Sequence, residues 1–182
     1  MARLPIQRYE GEARVIVSSL ELERALADIR QERVVGFDTE TRPAFRRGES
    51  YLPALAQVAT ARAVHLFPLQ RMDFSAALAE VLAAPGVVKA GVSIAEDLRQ
   101  LKKLFPFEEA AVVDVGSLAK GRGIEQTGLR NLAGLLLGIR IPKGKRTSNW
   151  AAQKLTQQQI VYAAMDAWAA RELYLKLSEI GV

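Results

Sequence analysis

Four acidic residues and one tyrosine are spaced so that they can meet at a single site. Asp38 and Glu40 flank Thr39 at the end of an apolar run, Val34-Val35-Gly36-Phe37. In an extended chain, residues two apart project to the same side, so both carboxylates face one way. Like charges held that close repel, and a bound cation relieves the repulsion. The stretch is therefore a candidate half of a metal site. An ordinary reading stands beside it, with Asp38 capping a turn and Glu40 in solvent. Asp97 follows Gly91-Val92-Ser93-Ile94-Ala95-Glu96, near a helix start where the dipole favours an acid. A first-turn aspartate of any helix has the same signature, and Glu96 beside it reads as a solvated neighbour. Tyr162 and Asp166 are four apart on a helical segment and share a face. Aspartate is a poor interior helix residue, and apolar or small residues surround this one. Buried without a partner it would be costly, so it calls for a cation or a hydrogen-bond network. A Tyr–Asp pair on a solvated face is the alternative.

Four acids from separate elements suit two-metal chemistry. Hard divalent ions such as Mg²⁺ or Mn²⁺ take oxygen ligands. Two of them ~3.5–4 Å apart stabilise both the attacking and the leaving oxygen of a phosphoryl displacement. A tyrosine beside them can hold the attacking water in line. This chemistry needs neither thiol nor imidazole, and the chain has no cysteine and one histidine. His65 lies in a strand-like run and reads as structural.

The elements that must position these residues follow from periodicity and punctuation. Residues 14–17 form a short apolar run, read as an edge strand. Ser18 and Glu21 have capping-box spacing and open a helix to about residue 30. Residues 34–37 read as a buried strand, and 41–52, with Arg42, Pro43, Arg46, Arg47 and Gly48, as a loop. Residues 55–60 and 63–67 are strand-like and joined by Ala61-Arg62, a hairpin signal. Then come a helix over 74–84, a strand over 87–91, a helix over 95–105 stopped at Pro106, and a strand over 111–114. A helix over 128–137 precedes a polar, basic connection over 138–154. In the last helix, 156–179, Thr156 and Gln159 make a capping box, and Leu155 with Ile160 a staple. Val161, Met165, Ala169, Leu173 and Leu177 give it an apolar stripe. A meander of strands followed by alternating helices and strands implies an α/β fold, a mixed sheet with helices on both faces.

Composition sets the outer bounds. The 182 residues are most simply one domain, 1–182. With 49% hydrophobic and 25% charged residues, the chain fits a soluble globular protein. No apolar run approaches the ~20 residues of a membrane span, and Met1-Ala2-Arg3-Leu4-Pro5 lacks the apolar core of a signal peptide. The missing cysteines exclude disulfides and thiolate metal sites and agree with a reducing cytoplasm, the expected location. A net charge of +5 and a pI near 9.7 suit a polyanionic partner.

Together, Asp38-Thr39-Glu40, Asp97 and Tyr162-x-x-x-Asp166 resemble the three exonuclease motifs of the DEDD superfamily in its tyrosine branch. Within it the chain is similar to the ribonuclease D and Werner-syndrome exonuclease group. Further likeness comes from Gly91-Val92-Ser93-Ile94-x-x-Asp97-Leu98, Leu129-x-x-Leu132-x-x-x-Leu136-Leu137-Gly138, and Lys145-Arg146-Thr147-Ser148-Asn149-Trp150 followed by Leu155-Thr156-x-x-Gln159. The likeness runs over about residues 15–178. It implies a ribonuclease H-like fold, with a five-stranded mixed sheet of a three-strand antiparallel meander plus two parallel strands. It also implies a hydrolase that removes nucleotides from 3′ ends of DNA or RNA. Asp38, Glu40, Asp97 and Asp166 would then ligate two divalent ions, Mg²⁺ or Mn²⁺, and Tyr162 would orient the water. The helicase-and-ribonuclease-D C-terminal domain of such enzymes does not follow, since the sequence stops at Val182.

Two basic groups flank these motifs. Arg42, Arg46 and Arg47 follow the first; Arg140, Lys143, Lys145, Arg146 and Lys154 precede the last helix. Phosphate contacts from Arg42, Arg46, Lys143, Lys145 and Arg146 would give affinity without sequence choice; a solvated basic loop is the alternative. Phe45 and Tyr51 could stack on a terminal base or pack the loop. Gly121-Arg122-Gly123 is too short for a phosphate loop, and Trp150 and Trp168 read as core. Two other functions share the pattern: a non-catalytic nucleic-acid-binding module, and a hydrolase of nucleotides or short oligonucleotides. DNA and RNA are not separated by any residue pattern here, and the oligomeric state is equally open.

Overall fold

A computed structural model describes residues 3–145 and 148–180. Six strands form one sheet: β1 Glu12–Val15, β2 Val34–Glu40, β3 Leu55–Ala59, β4 Ala63–Pro68, β5 Val88–Gly91 and β6 Val112–Asp114. Their spatial order is β1-β4-β3-β2-β5-β6. The expected meander is present, with β2, β3 and β4 antiparallel. The expected parallel pair is too, β5 running parallel to β2 and β6 to β5. The strand count departs from five. β1 adds a sixth strand, parallel to β4 in the register Glu12↔Ala63 to Val15↔Leu66. Its ladder covers the backbone groups that β4 would otherwise expose as a sheet edge.

Period-2 alternation along β2 sorts the layers. Val35 and Phe37 are buried with residues of α1 (Ser19–Arg30), α2 (Ser75–Ala83) and α3 (Ile94–Leu101). On the other face, Leu55, Ala59, Val64 and Leu66 pack against Ala163, Ala164 and Ala167 of α6 (Gln157–Ile180). Short helices α4 (Val115–Lys120) and α5 (Leu129–Leu132) share that side. The helix expected over 128–137 is interrupted: α5 gives way to a π-helical turn, Ala133–Leu137, that ends at Gly138 with φ 66°. Among the described residues, no helix is long and apolar enough to cross a membrane.

The capping box at Thr156 forms in full, while at Ser18 the Glu21 side chain accepts from the Val17 N–H in place of the Ser18 N–H. The Ser18 hydroxyl accepts from the Glu21 N–H at 3.2 Å, and the Thr156 hydroxyl accepts from the Gln159 N–H at 3.2 Å while the Gln159 side chain accepts from Thr156 N–H at 2.9 Å. His65 is structural. It is fully buried, and its Nε2 lies 2.7 Å from Asp28 Oδ2. The same carboxylate accepts from the Thr60 hydroxyl at 2.7 Å and from Arg62.

The closest packing in the fold is between β2 and α6. A Cβ added to Gly36 would lie 1.9 Å from the Ala167 carbonyl oxygen and 3.0 Å from Arg171 Cβ. Arg171 fastens the same contact, donating from Nε to the Val34 carbonyl at 3.0 Å and pairing with Glu32 at 3.3 Å. The apolar stripe read along α6 is buried at Met165, Ala169, Leu173 and Leu177, with Val161 half-buried. Its sheet-facing side is alanine, which is what allows the close approach.

Gly36→Ala is expected to destabilise the fold at or above the upper end of the ~1–3 kcal/mol typical of overpacking. Denaturant unfolding checks it, with Gly121→Ala as control. The nearest atom to an added Cβ there is 3.5 Å away, so that substitution should cost little.

Candidate active site

The carboxylates come together because two elements of different period meet. Gly36, Asp38 and Glu40 alternate onto the α6 face of β2. The helix brings Asp166, one residue before the Ala167 that touches Gly36. Asp38, Glu40 and Asp166 each offer a carboxylate oxygen, and these oxygens all lie within 4.8 Å of one another. Asp166 is 8% exposed, and its Oδ1 is buried with no hydrogen-bond partner among the described residues. Oxygens bound to one Mg²⁺ at 2.0–2.1 Å can stand ~4.2 Å apart at most. The cluster is thus close to the span of one hard ion, and the orphaned oxygen is a free ligand atom. The residues fit a divalent cation.

Asp97 reaches this site from the opposite layer. Thr39 faces α3, and its hydroxyl donates to Asp97 Oδ1 at 2.5 Å. The turn into α3 is sharp, with Ser93 in the left-handed region at φ 56°. This backbone costs energy for a non-glycine residue, and it starts the helix so that Asp97 falls beside the end of β2. Asp97 is not among the three mutually close carboxylates, yet its charge raises the pKa of both Asp38 and Glu40.

Electrostatics separate these acids from ordinary surface carboxylates. Burial, then the charges of Asp166, Glu40 and Asp97, push Asp38 well above the carboxylate range. Burial and the Asp166 and Asp97 charges take Glu40 to about 8, partly opposed by a hydrogen bond from Gln57 and by Arg130. Burial takes Asp166 to about 7 against the pull of Arg130. Burial takes Asp97 to about 6 against the Thr39 hydrogen bond. Without a cation, the site resists holding all its charges.

Tyr162 stands one helical turn before Asp166 and is fixed on three sides. Trp150 stacks on its ring at 6.0 Å and 29°. Gly144 lies so close that an added Cβ would sit 2.7 Å from the ring. Arg130 donates to its hydroxyl at 3.2 Å. Trp150 is buried as expected, and its packing partner is the tyrosine; Trp168 is half-buried against the same cluster.

Of the basic residues, Arg42 and Arg46 are exposed on the segment after β2, and Lys143 and Lys145 are exposed on the segment packed against Tyr162. Arg146 lies outside the described residues. Tyr51 is already engaged: the Arg42 guanidinium lies 4.0 Å over its ring and donates to its hydroxyl at 3.2 Å. Phe45 is 74% exposed. A cavity of about 630 Å³ opens beside Tyr162, lined by Arg8, Lys143, Lys145, Lys154, Trp150 and a row of amide side chains, with no acidic residue in its wall.

The sequence reading missed three residues. Thr39 was passed over between the two acids, although alternation turns its side chain to the other face. Gln57 is fully buried opposite Asp38 and donates to the Ala163 carbonyl at 3.2 Å; its signal was a lone amide in an apolar strand. Arg130 carried no signal, since an arginine in a helix is usually a surface residue.

The sequence matches a 3′-5′ exonuclease family over residues 13–181. The chain belongs to this family. It is 33% identical over 154 residues to the bifunctional 3′-5′ exonuclease/ATP-dependent helicase WRN of Mus musculus, covering 81% of this chain and 11% of that protein. It is 32% identical over 170 residues to ribonuclease D of Gluconacetobacter diazotrophicus, covering 91% of this chain and 42% of the other. The chain therefore spans less than half the length of either relative. Its fold superposes on the Nibbler EXO domain of Aedes aegypti with a TM-score of 0.83 at 23% identity, covering 100% of this chain and 95% of that one. The arrangement is the ribonuclease H-like one.

Raised carboxylate pKa values have a signed consequence for stability. The folded state holds protons that the unfolded chain has released, so the contribution of these acids to stability is full below about pH 4 and is lost as pH rises through about 6 to 8. Melting in chelator is expected to drop across that window, and Mg²⁺ or Mn²⁺ should reverse the drop. Asp38→Asn, which removes one charge, should melt above wild type at pH 8 in chelator.

Proposed function

We propose that the chain is a single 3′–5′ exonuclease domain of the tyrosine branch that hydrolyses the terminal phosphodiester of a DNA or RNA strand. The observation that carries this is the meeting of Asp38, Glu40 and Asp166 within 4.8 Å, with Tyr162 one turn away. Asp38, Glu40, Asp97 and Asp166 hold two divalent ions, Mg²⁺ or Mn²⁺. Bound there, the ions supply charge stabilisation for the attacking and leaving oxygens of the displacement. Tyr162 holds the attacking water against the terminal phosphorus. The water oxygen bonds to phosphorus and gives up its proton to solvent as the bond to the 3′ oxygen of the preceding nucleotide breaks. That oxygen takes up a proton, which leaves a 3′-hydroxyl on the strand and frees the terminal nucleotide as its 5′-monophosphate.

The strand is gripped by its phosphates. Lys143 and Lys145 are exposed cations in the wall of the cavity beside Tyr162, Arg46 is exposed on the segment after β2, and the cavity wall, free of acids among the described residues, complements a polyanion. Arg42 joins them with its guanidinium braced on Tyr51. We assign Arg146 to the same group from its place in the sequence. Such contacts read charge and not base identity.

Digestion of 3′- and 5′-labelled oligonucleotides, of both sugars and both strandedness classes, tests the proposal in Mg²⁺, Mn²⁺ or chelator. A metal-dependent ladder shrinking from the 3′ end is expected, abolished by Asp38→Ala and Asp166→Ala. Tyr162→Phe should lose roughly 100-fold in kcat, the scale of a misplaced reactant. A wild type that binds strands without cutting them would make the chain a binding module. One that cuts only mononucleotides or very short oligonucleotides would make it a small-substrate hydrolase.

Strand affinity should fall with salt. Lys143→Ala and Lys145→Ala should each lower the slope of log K against log salt by about 0.7 for a single strand, measured by fluorescence anisotropy.

A further inference from the structure

Arg130 belongs to none of the motifs, yet it is the cation placed against the tyrosine. It stands on α5, half-buried, while Tyr162 stands on α6. One terminal nitrogen, Nη2, makes two hydrogen bonds. It donates to the Tyr162 hydroxyl at 3.2 Å and to the Pro142 carbonyl at 3.0 Å. A guanidinium nitrogen of this type carries two hydrogens, so each acceptor takes one. The guanidinium carbon is 5.9 Å from the tyrosine ring centroid. The Nε donor is buried with no partner among the described residues.

We propose that Arg130 is a positioning residue for hydrolysis, acting through the Tyr162 hydroxyl; this rests on the exonuclease reading above.

A tyrosine hydroxyl has one proton and two acceptor lone pairs. Arg130 occupies one lone pair, so the proton points away from the cation and stays available for the water. The ring is fixed separately, by Trp150 on one side and Gly144 on another. Ring packing sets where the tyrosine is; Arg130 sets which way its hydroxyl faces. The bond to Pro142 couples this to the segment that carries Lys143 and Lys145, so a strand held there meets an already oriented tyrosine. A lysine ammonium has donors enough for both acceptors, but its nitrogen sits one bond nearer the backbone than Nη2, so it does not reach both acceptors in the same place.

The test is a double-mutant cycle on kcat, read by 3′-end digestion in saturating Mg²⁺. Arg130→Met keeps the side-chain bulk and removes the donors. It is expected to cut kcat roughly 10–100-fold, the scale of a displaced reacting group, with KM changed less than about twofold. In the Tyr162→Phe background the same substitution should cost less than about twofold, because the hydroxyl it acts on is gone. Equal losses in both backgrounds, large or absent, overturn the proposal, as does a rise in KM at constant kcat. Arg130→Lys covers the case where Arg130→Met melts early. It should lose at least about threefold in kcat, again only when the tyrosine is present. A wild type without exonuclease activity removes the functional reading itself. An active wild type with additive losses removes only the role of Arg130.

Discussion

The structure depends on one close approach, that of helix α6 to strand β2. Gly36 has no side chain, and the space it leaves is filled by the Ala167 carbonyl. Alanines at 163, 164 and 167 keep the facing side of the helix equally thin. The two backbones therefore come nearer than any pair of larger residues allows. Asp166 sits one residue from the contact point and Asp38 two residues from Gly36. Their separation is set by the backbone packing rather than by flexible side chains. Arg171 locks the same interface from below through Val34 and Glu32.

That rigidity has an electrostatic consequence. Carboxylates fixed at short range on half-buried backbone cannot move apart to relieve repulsion, so in the metal-free chain they relieve it by binding protons. Burial is the leading cause of the raised pKa at every one of the four acids. A bound cation removes the same penalty. The site thus stores repulsion in its apo form and releases it on binding metal, an arrangement suited to a cofactor held by hard oxygen ligands.

Tyr162 is held by different means from the acids. Its ring lies between a stacked tryptophan and a glycine backbone, and its hydroxyl meets an arginine from a neighbouring helix. The segment that supplies Gly144 also presents Lys143 and Lys145 to solvent. The packing of the tyrosine and the exposure of these two cations therefore share one short stretch of chain. Conversely, Asp97 is tied through Thr39 to the other layer of the fold. The acidic cluster and its neighbour Asp97 draw on both faces of the sheet, which makes their geometry a property of the whole sandwich.

Most of the architecture and the acids themselves were legible in the sequence, for a physical reason. Asp38 and Glu40 obey the two-residue period of a strand, and Tyr162 with Asp166 the four-residue spacing of a helix. Local periodicity alone puts each pair on one face. Caps at Ser18 and Thr156 and the stripe along α6 are local in the same sense. The edge strand read over 14–17 is present as β1, two residues earlier, but its parallel partner was not legible, because pairing of β1 with β4 joins residues some fifty apart and leaves no periodic trace. Nor was the break of the 128–137 helix into a π-helical turn. The contacts of Thr39, Gln57, Gly36 and Arg130 appear only in the tertiary structure. Each depends on what lies across a layer: Asp97 for Thr39, Ala163 for Gln57, Ala167 for Gly36 and Tyr162 for Arg130. Sequence periodicity tells which side of its own element a residue faces. Only packing tells what it meets there.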